Sequence, residues 1–237
     1  MLPTPEVIAD FNRIYEPAED TFLLLDCLEE QKLFLNHILF DCKKKASPPL
    51  VMEIGTGSGV ITSFIQNSIF PNQFAIYLTT DLNSYACETS LKTSELNLEK
   101  SGISRLNCVM DSVQCSLTSC VVNNSVDLLV FNPPYVPSAN SEIPTINGQS
   151  NIDQDSGAWL DMALNGGDDG MIVTAKLLDN LHDILADNGV AYILFCARNK
   201  PDDVYKQMKE RKLQVEKVIF RKCGWEELSV LRLWKRK

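Results

Sequence analysis

Apolar residues recur at helical spacing through residues 19–40 (EDTFLLLDCLEEQKLFLNHILF), with Leu24, Leu28 and Leu35 on one stripe. That spacing predicts a single amphipathic helix. The polar, proline-ended DCKKKASPP breaks it. The period then changes. LVMEI is a short apolar run, GTGSGV a glycine turn and ITSFIQNSIF a helix. QFAIYLTTD predicts a second strand, and SYACETSLKTSELNLEKSG a helix that stops at Gly102. SRLNCVMD reads as a third, shorter strand and SVDLLVFN as a fourth. Residues 136–166 are polar and irregular, a long connection of the kind that forms lids and binding loops; Trp159 lies in it. A helix is expected from about Asp169 to Ala186, with Gly166-Gly167-Asp168-Asp169-Gly170 at its entrance. NGVAYILFCA is a fifth strand and PDDVYKQMKERK a further helix. LQVEKVIFRK and EELSVLRLWKR close the chain as two strands around Cys223-Gly224-Trp225.

Strands that alternate with helices place the chain in the α/β class, with a mostly parallel sheet covered on both faces. The link between the last two strands is too short for a crossover helix, so they should form an antiparallel hairpin. There is no internal repeat. The expected organisation is one domain over residues 1–237 with a short N-terminal helical extension, 1–45.

Composition narrows the function. The chain has 237 residues, 45% of them hydrophobic, enough for one sizeable core. A net charge of −9 argues against a broad phosphate-binding surface and against stable nucleic-acid binding. Lys43-Lys44-Lys45 and Arg232, Lys235, Arg236 and Lys237 read as solvated surface charge. MLPTPEVIAD lacks the basic and apolar regions of a signal peptide. No run reaches the roughly 18 apolar residues of a spanning helix. Eight cysteines without a CxxC pair, and two histidines (His37, His182) inside helix-like segments, predict no metal site and reduced, intracellular thiols.

VMEIGTGSGV carries Glu53, Gly55, Gly57 and Gly59 between a strand and a helix. Glycines allow the tight turn and the close approach of a ligand to helix N–H groups. A nicotinamide fingerprint would need glycine where Val60 stands, and no P-loop Gly-Lys-Ser/Thr is present. The second strand ends at Asp81, where a carboxylate can accept both hydroxyl hydrogens of a ribose. The third ends at Asp111, which could take an adenine amino group. Any one of these acids could be a helix cap. Three acids at successive strand ends point instead to the crevice where open α/β sheets bind ligands.

Asn132-Pro133-Pro134-Tyr135 follows the fourth strand directly. Proline cannot continue a central ladder, so this is a stiff, shaped turn. An amide or exocyclic amine nitrogen is a weak nucleophile with two N–H hydrogens that need acceptors. The Asn132 side-chain carbonyl and the Pro133 backbone carbonyl, held by Pro134, supply two. Tyr135 can pack on a flat amide or base. The tetrad serves an amide and an adenine amine equally. A lysine nucleophile would not need it, and a cofactor-binding scaffold would gain nothing from it.

With EIGTGSG, Asp81, Asp111-Ser112, NPPY and YEPAEDTFLLLD (residues 15–26), the chain resembles the class I S-adenosylmethionine-dependent methyltransferases. Among them it resembles the HemK-type protein glutamine methyltransferases, in their eukaryotic branch. The resemblance runs from about Tyr15 to the C-terminal strands and is weakest over 138–165; the helical N-terminal domain of bacterial relatives is missing. It implies a Rossmann-like, seven-stranded, mostly parallel sheet with a C-terminal antiparallel hairpin. It implies methylation of the glutamine side-chain amide in the GGQ motif of the class-1 release factor. The alternatives are adenine-amino methylation of DNA or RNA, and lysine methylation. The implied cofactor is S-adenosylmethionine, leaving as S-adenosylhomocysteine. Its implied contacts are Glu53, Gly55, Thr56, Gly57, Gly59, Asp81, Leu82, Asp111, Ser112 and Asn132, with Glu19, Asp20 and Thr21 from a segment folded over it. Catalysis would fall to Asn132, Pro133 and Tyr135, and substrate binding to these with Pro134. A small zinc-binding activator is implied as heterodimer partner, on the sheet edge near Leu106 to Met110. The expected location is the cytoplasm, with a nuclear pool left open.

Overall fold

The computed structural model describes residues 2–41, 47–104, 108–138 and 156–235. The N-terminal periodic stretch is not one helix. It divides at Gln31 into α1 (Glu19–Glu30) and α2 (Lys32–Asn36), and ends in a π turn, His37–Asp41. Nor is it an appendage. Leu23, Leu24, Leu28, Leu35 and Leu39 are buried in the same core as β1 (Leu50–Ile54) and the helix after it, α3 (Val60–Phe64). Arg232, expected as solvated charge, fastens this layer down. Its guanidinium lies 4.2 Å from the Phe34 ring centre and 4.9 Å from that of Trp234, and donates to Gln31 Oε1 at 2.8 Å. Weakly hydrated and flat, a guanidinium suits this half-buried place. Lys43-Lys44-Lys45, Arg236 and Lys237 lie outside the described residues.

β2 (Ala75–Asp81) pairs in parallel with β1, and α4 (Ser84–Ser101) follows it. The Asn83 side chain caps α4 by accepting from Tyr85 N at 3.0 Å, and Gly102 ends it at φ +67°. β3 is Cys108–Gln114, three residues longer at its end than SRLNCVMD suggested; residues 105–107 lie outside the described ones. β4 (Val126–Phe131) is buried at every position. That explains its continuous apolar run: Leu128 and Val130 face one core, Leu129 and Phe131 the other.

The 136–166 connection is not wholly irregular. It holds a two-residue strand β5 (Val136–Pro137), helix α5 (Ser156–Leu164) and, continuing to Gly167, β6 (Asn165–Gly167), which pairs in parallel with β5. The next helix, α6 (Ile172–Ile184), starts later than Asp169 because Asp168–Gly170 form a 3-10 turn. β7 (Leu185–Cys196), α7 (Pro201–Glu210), β8 (Leu213–Cys223) and β9 (Glu226–Lys235) complete the chain, and β8 and β9 form the expected antiparallel hairpin.

The main sheet has seven strands in the order β3-β2-β1-β4-β7-β9-β8. α1 and α3 cover one face; α6 and α7 cover the other. Strand order reverses between β1 and β4, so the turns after these two strands open side by side and leave the ligand crevice of open α/β sheets. The glycine turn and NPPY are those two turns.

Gly59 sits at φ +74°, and a Cβ there would lie 2.4 Å from the Ser90 Cα on α4. Both the left-handed backbone and the helix contact demand glycine. Gly59→Ala should therefore lower stability by about 2 kcal/mol or more, read as a fall of about 4–8 °C in Tm by calorimetry.

Candidate active site

A cavity of about 360 Å³ opens at the carboxyl ends of β1, β2 and β4. Glu53, Gly55, Thr56, Gly57, Asp81 and Leu82 line it, with Asp20, Thr21 and all four NPPY residues. Arg13, Ile14 and Tyr15, from the N-terminal segment, line it as well. The Asn83 side chain holds that segment by donating to Arg13 O at 2.8 Å, and the Arg13 guanidinium stacks 4.3 Å from the Tyr85 ring centre.

Four of the residues expected at the cofactor do not line the cavity. β3 continues past Asp111 and Ser112 to Gln114, so the residues at its open end are Cys115, Ser116 and Leu117, which do line it. Asp111 is exposed and accepts from the Ser112 backbone N–H at 2.8 Å. Gly59 is consumed by the contact with α4. Glu19 faces a second, more open hollow beside Tyr135 and Cys223.

Asp81 is set by its neighbours. One oxygen accepts from Gly57 N at 3.0 Å, the other from Asn83 N at 2.9 Å. Each keeps a lone pair, so both remain able to accept from a diol. Glu53 is 2% exposed. One of its oxygens accepts from Thr62 N at 3.0 Å, from Thr56 Oγ1 at 3.2 Å and from the Thr62 hydroxyl. Burial nevertheless pushes its carboxyl up to about 7, against those three bonds.

The centre of the site is Asn132. Its side-chain NH₂ donates to Asp20 Oδ2 at 3.1 Å, while the other Asp20 oxygen accepts from Thr21 N at 2.6 Å. A carboxylate only accepts, so it selects the NH₂ end of the amide and turns the carbonyl end the other way. That carbonyl oxygen is buried and meets no donor among the described residues. The other carbonyls of the turn are differently placed. The buried Asn199 side chain donates to Tyr135 O at 3.0 Å and to Asp169 O at 2.9 Å. A Cβ on Gly166 would lie 2.4 Å from Pro134 O, and one on Gly170 would lie 2.0 Å from Tyr135 O. The Gly166–Gly170 turn is thus more than a helix entrance: it packs backbone to backbone against NPPY. The Pro133 carbonyl accepts no bond among the described residues. Asn132 Oδ1 and Pro133 O thus remain as acceptors on a turn whose Tyr135 carbonyl and hydroxyl are held.

The Tyr135 ring is buried, and its hydroxyl donates to Glu226 Oε2 at 3.2 Å. Burial first, then the charges of Asp20 and Glu226, push that phenol up. The same three causes push Tyr15 up to about 12, helped by its bond to Asp20. Both tyrosines are neutral donors near pH 7 and neither is a base. Trp159, on α5, is buried against the cavity, and its indole N–H finds no acceptor among the described residues.

Asn199 had no signal in the sequence beyond a polar residue after a strand. Asp20 could be read only as a helix cap or a cofactor contact; its role as orienter of Asn132, 112 residues away, is visible only in the fold.

These residues fit S-adenosylmethionine. The orphaned amide oxygen faces a cavity that also presents a diol acceptor in Asp81 and a glycine-rich turn. No family model matches the chain. It is 35% identical to the eRF1 methyltransferase catalytic subunit mtq2 of Schizosaccharomyces pombe over 244 residues, covering 99% of this chain and 96% of that protein. It is 35% identical over 225 residues to methyltransferase HEMK2 of Homo sapiens, covering 95% and 91%. Among solved structures, the Mtq2–Trm112 complex of E. cuniculi superposes with a TM-score of 0.61 at 24% identity, covering 94% of this chain and 99% of that one. That likeness supports the fold.

Two measurements follow from the charges. Asp20→Ala frees the Asn132 amide to turn and should lower kcat about 10- to 100-fold, read by single-turnover methyl transfer. Glu53 is neutral in the folded and unfolded chain alike below its ordinary value of 4.5. As pH rises toward about 7 only the unfolded chain ionises, so this residue's contribution to stability is lost over that window. The loss is on the order of 3 kcal/mol. In urea titrations from pH 4.5 to 8, Glu53→Gln should fall less in stability than the unaltered protein by about that amount.

Proposed function

The chain belongs to the HEMK2 methyltransferase family, and on that premise we propose that it methylates the side-chain amide nitrogen of the glutamine in the GGQ motif of the eukaryotic class-1 release factor. Its cofactor is S-adenosylmethionine, and a small activator subunit is its partner. The S. pombe relative bears the name of an eRF1 methyltransferase catalytic subunit. The observation that carries the chemistry is the Asn132 amide, turned by Asp20 so that its oxygen is buried, unpartnered and at the cavity.

Bound S-adenosylmethionine supplies a methyl group already activated on sulfonium sulfur. The protein's task is to hold a poor nucleophile close, in line and dry. Asn132 Oδ1 and Pro133 O accept the two N–H hydrogens of the substrate amide and raise the electron density on its nitrogen; as the N–C bond would form and the methyl–sulfur bond break, one of those protons, made strongly acidic, would pass to solvent. An N–H left unpaired in this buried place would cost about 1–3 kcal/mol, or about ten- to a hundredfold in rate if felt in the transition state alone. Prolines 133 and 134 keep the acceptors from relaxing toward each other. The ring of Tyr135 gives the planar amide a flat wall. Glu53 and Asp81, with Gly55, Thr56, Gly57 and Leu82, are assigned to the cofactor, and Trp159 and Tyr15 to the exclusion of water from it.

β3 is the edge strand of the sheet, and Val109 on it is 53% exposed. An open edge with an apolar residue accepts a strand from another chain. This edge, at Cys108 to Met110, is where we place the activator; Leu106 lies outside the described residues. The reading is of one methyltransferase domain over the whole chain, working in the cytoplasm.

The test uses the chain purified with its activator, methyl-labelled S-adenosylmethionine, and release factor carrying GGQ or GGA. Label should appear on GGQ alone, and Asn132→Ala should abolish transfer while cofactor affinity stays within about fivefold, since one hydrogen bond is worth about 1 kcal/mol. Label on adenine-containing oligonucleotides, or on lysine, with none on GGQ, would sink the reading.

A further inference from the structure

Trp225 at the tip of the β8–β9 hairpin is fully exposed, at 102%. A tryptophan left wholly in water is an apolar surface of the type that anchors protein interfaces. Its two chain neighbours, Gly224 and Glu226, line the second hollow. That hollow adjoins the catalytic cavity, and Tyr15, Asp20 and Tyr135 line both. Glu226 carries the connection: one residue from Trp225, its carboxylate accepts a hydrogen bond from the Tyr135 hydroxyl of NPPY.

The hollow is acidic. Glu19, Asp20 and Glu226 line it. Of its two cations, Arg221 is paired with Asp26 at 2.5 Å and Lys222 faces Glu227 at 3.9 Å. Among the described residues no cation pairs with Glu19 or Glu226. Arg221 also feels the charge of Glu19, yet three carboxylates face two cations already engaged elsewhere, next to the reacting turn and beside an exposed aromatic ring.

We infer that the hairpin tip and this acidic hollow form the docking surface for the protein substrate. Trp225 would pack on an apolar patch of the substrate while Glu19 and Glu226 receive basic residues flanking the target glutamine. The inference rests on the proposed function for the identity of that substrate. The occupant must enter beside Tyr135 to bring an amide to Asn132, and the hairpin borders that side of the turn. The surface gathers at the tip of the β8–β9 hairpin, and β8 is the opposite sheet edge from β3, so substrate and activator need not compete.

The experiment uses the intact heterodimer and whole release factor. Trp225→Ala should raise KM for the release factor about tenfold with kcat within twofold, and Trp225→Phe should recover most of the loss. Separately, the Asn132→Ala heterodimer, which binds without turnover, should show reduced acrylamide quenching of tryptophan emission when release factor is added. Trp225→Ala in that background should remove the change. Unchanged KM in Trp225→Ala, or no protection from quenching, overturns the docking surface. So does loss of the activator from Trp225→Ala on size exclusion, which would assign the tip to the other partner. Protection by the release factor without any methyl transfer to it would instead overturn the proposed reaction and leave the surface standing.

Discussion

One hydrogen bond sets the polarity of the site: the Asn132 amide donating to Asp20. An asparagine side chain has two ends of nearly equal shape and opposite chemistry. On an unrestrained turn it would present either one. A carboxylate behind it removes the choice, and what remains toward the cavity is an acceptor. The rest of the arrangement protects that choice. Asn199 holds the Tyr135 carbonyl, Glu226 the Tyr135 hydroxyl, and the Gly166–Gly170 turn closes on the backbone with no room for a side chain. The prolines fix the remaining torsions.

The sheet decides where this turn can matter. β1 and β4 are neighbours at the reversal of strand order, so the glycine turn and NPPY meet without any long-range design between them. β4 is buried on both faces, which makes the base of NPPY as rigid as any backbone in the protein. Rigidity is the useful property here, because acceptors that relaxed toward water would lose their advantage in the transition state.

Much of this was readable from residues alone. The strands of the main sheet, the closing hairpin and the pairing of a glycine turn with NPPY follow from period and punctuation. Glu53, Asp81 and Asn132 could be picked out because acids and amides at strand ends have few other reasons to be there. Three kinds of feature resisted. An acid at Asp111 reads as a strand end, whereas β3 runs to Gln114 and gives the cavity Cys115 and Ser116 instead. α5 and the β5–β6 pair were hidden because short elements lack a full period. The roles of Asp20, Asn199, Gly166 and Glu226 are contacts across 30 to 112 residues, and no local pattern encodes them.

Asp20 rides on α1, and α1 is pinned mainly by the far end of the chain. Asp26 pairs with Arg221, and Gln31 just beyond the helix accepts from Tyr192 and Arg232, partners 161 to 201 residues downstream. Such distant closures form late. During synthesis α1 can pack on β1 and α3, but its hydrogen bonds to Tyr192, Arg221 and Arg232 wait for the C-terminal strands. Until then the nascent chain holds both turns, while the helix that fixes the direction of the Asn132 amide lacks its C-terminal anchors. A truncated product that keeps every residue of the cavity would still lack the anchors that hold α1, and with it Asp20, in register with Asn132.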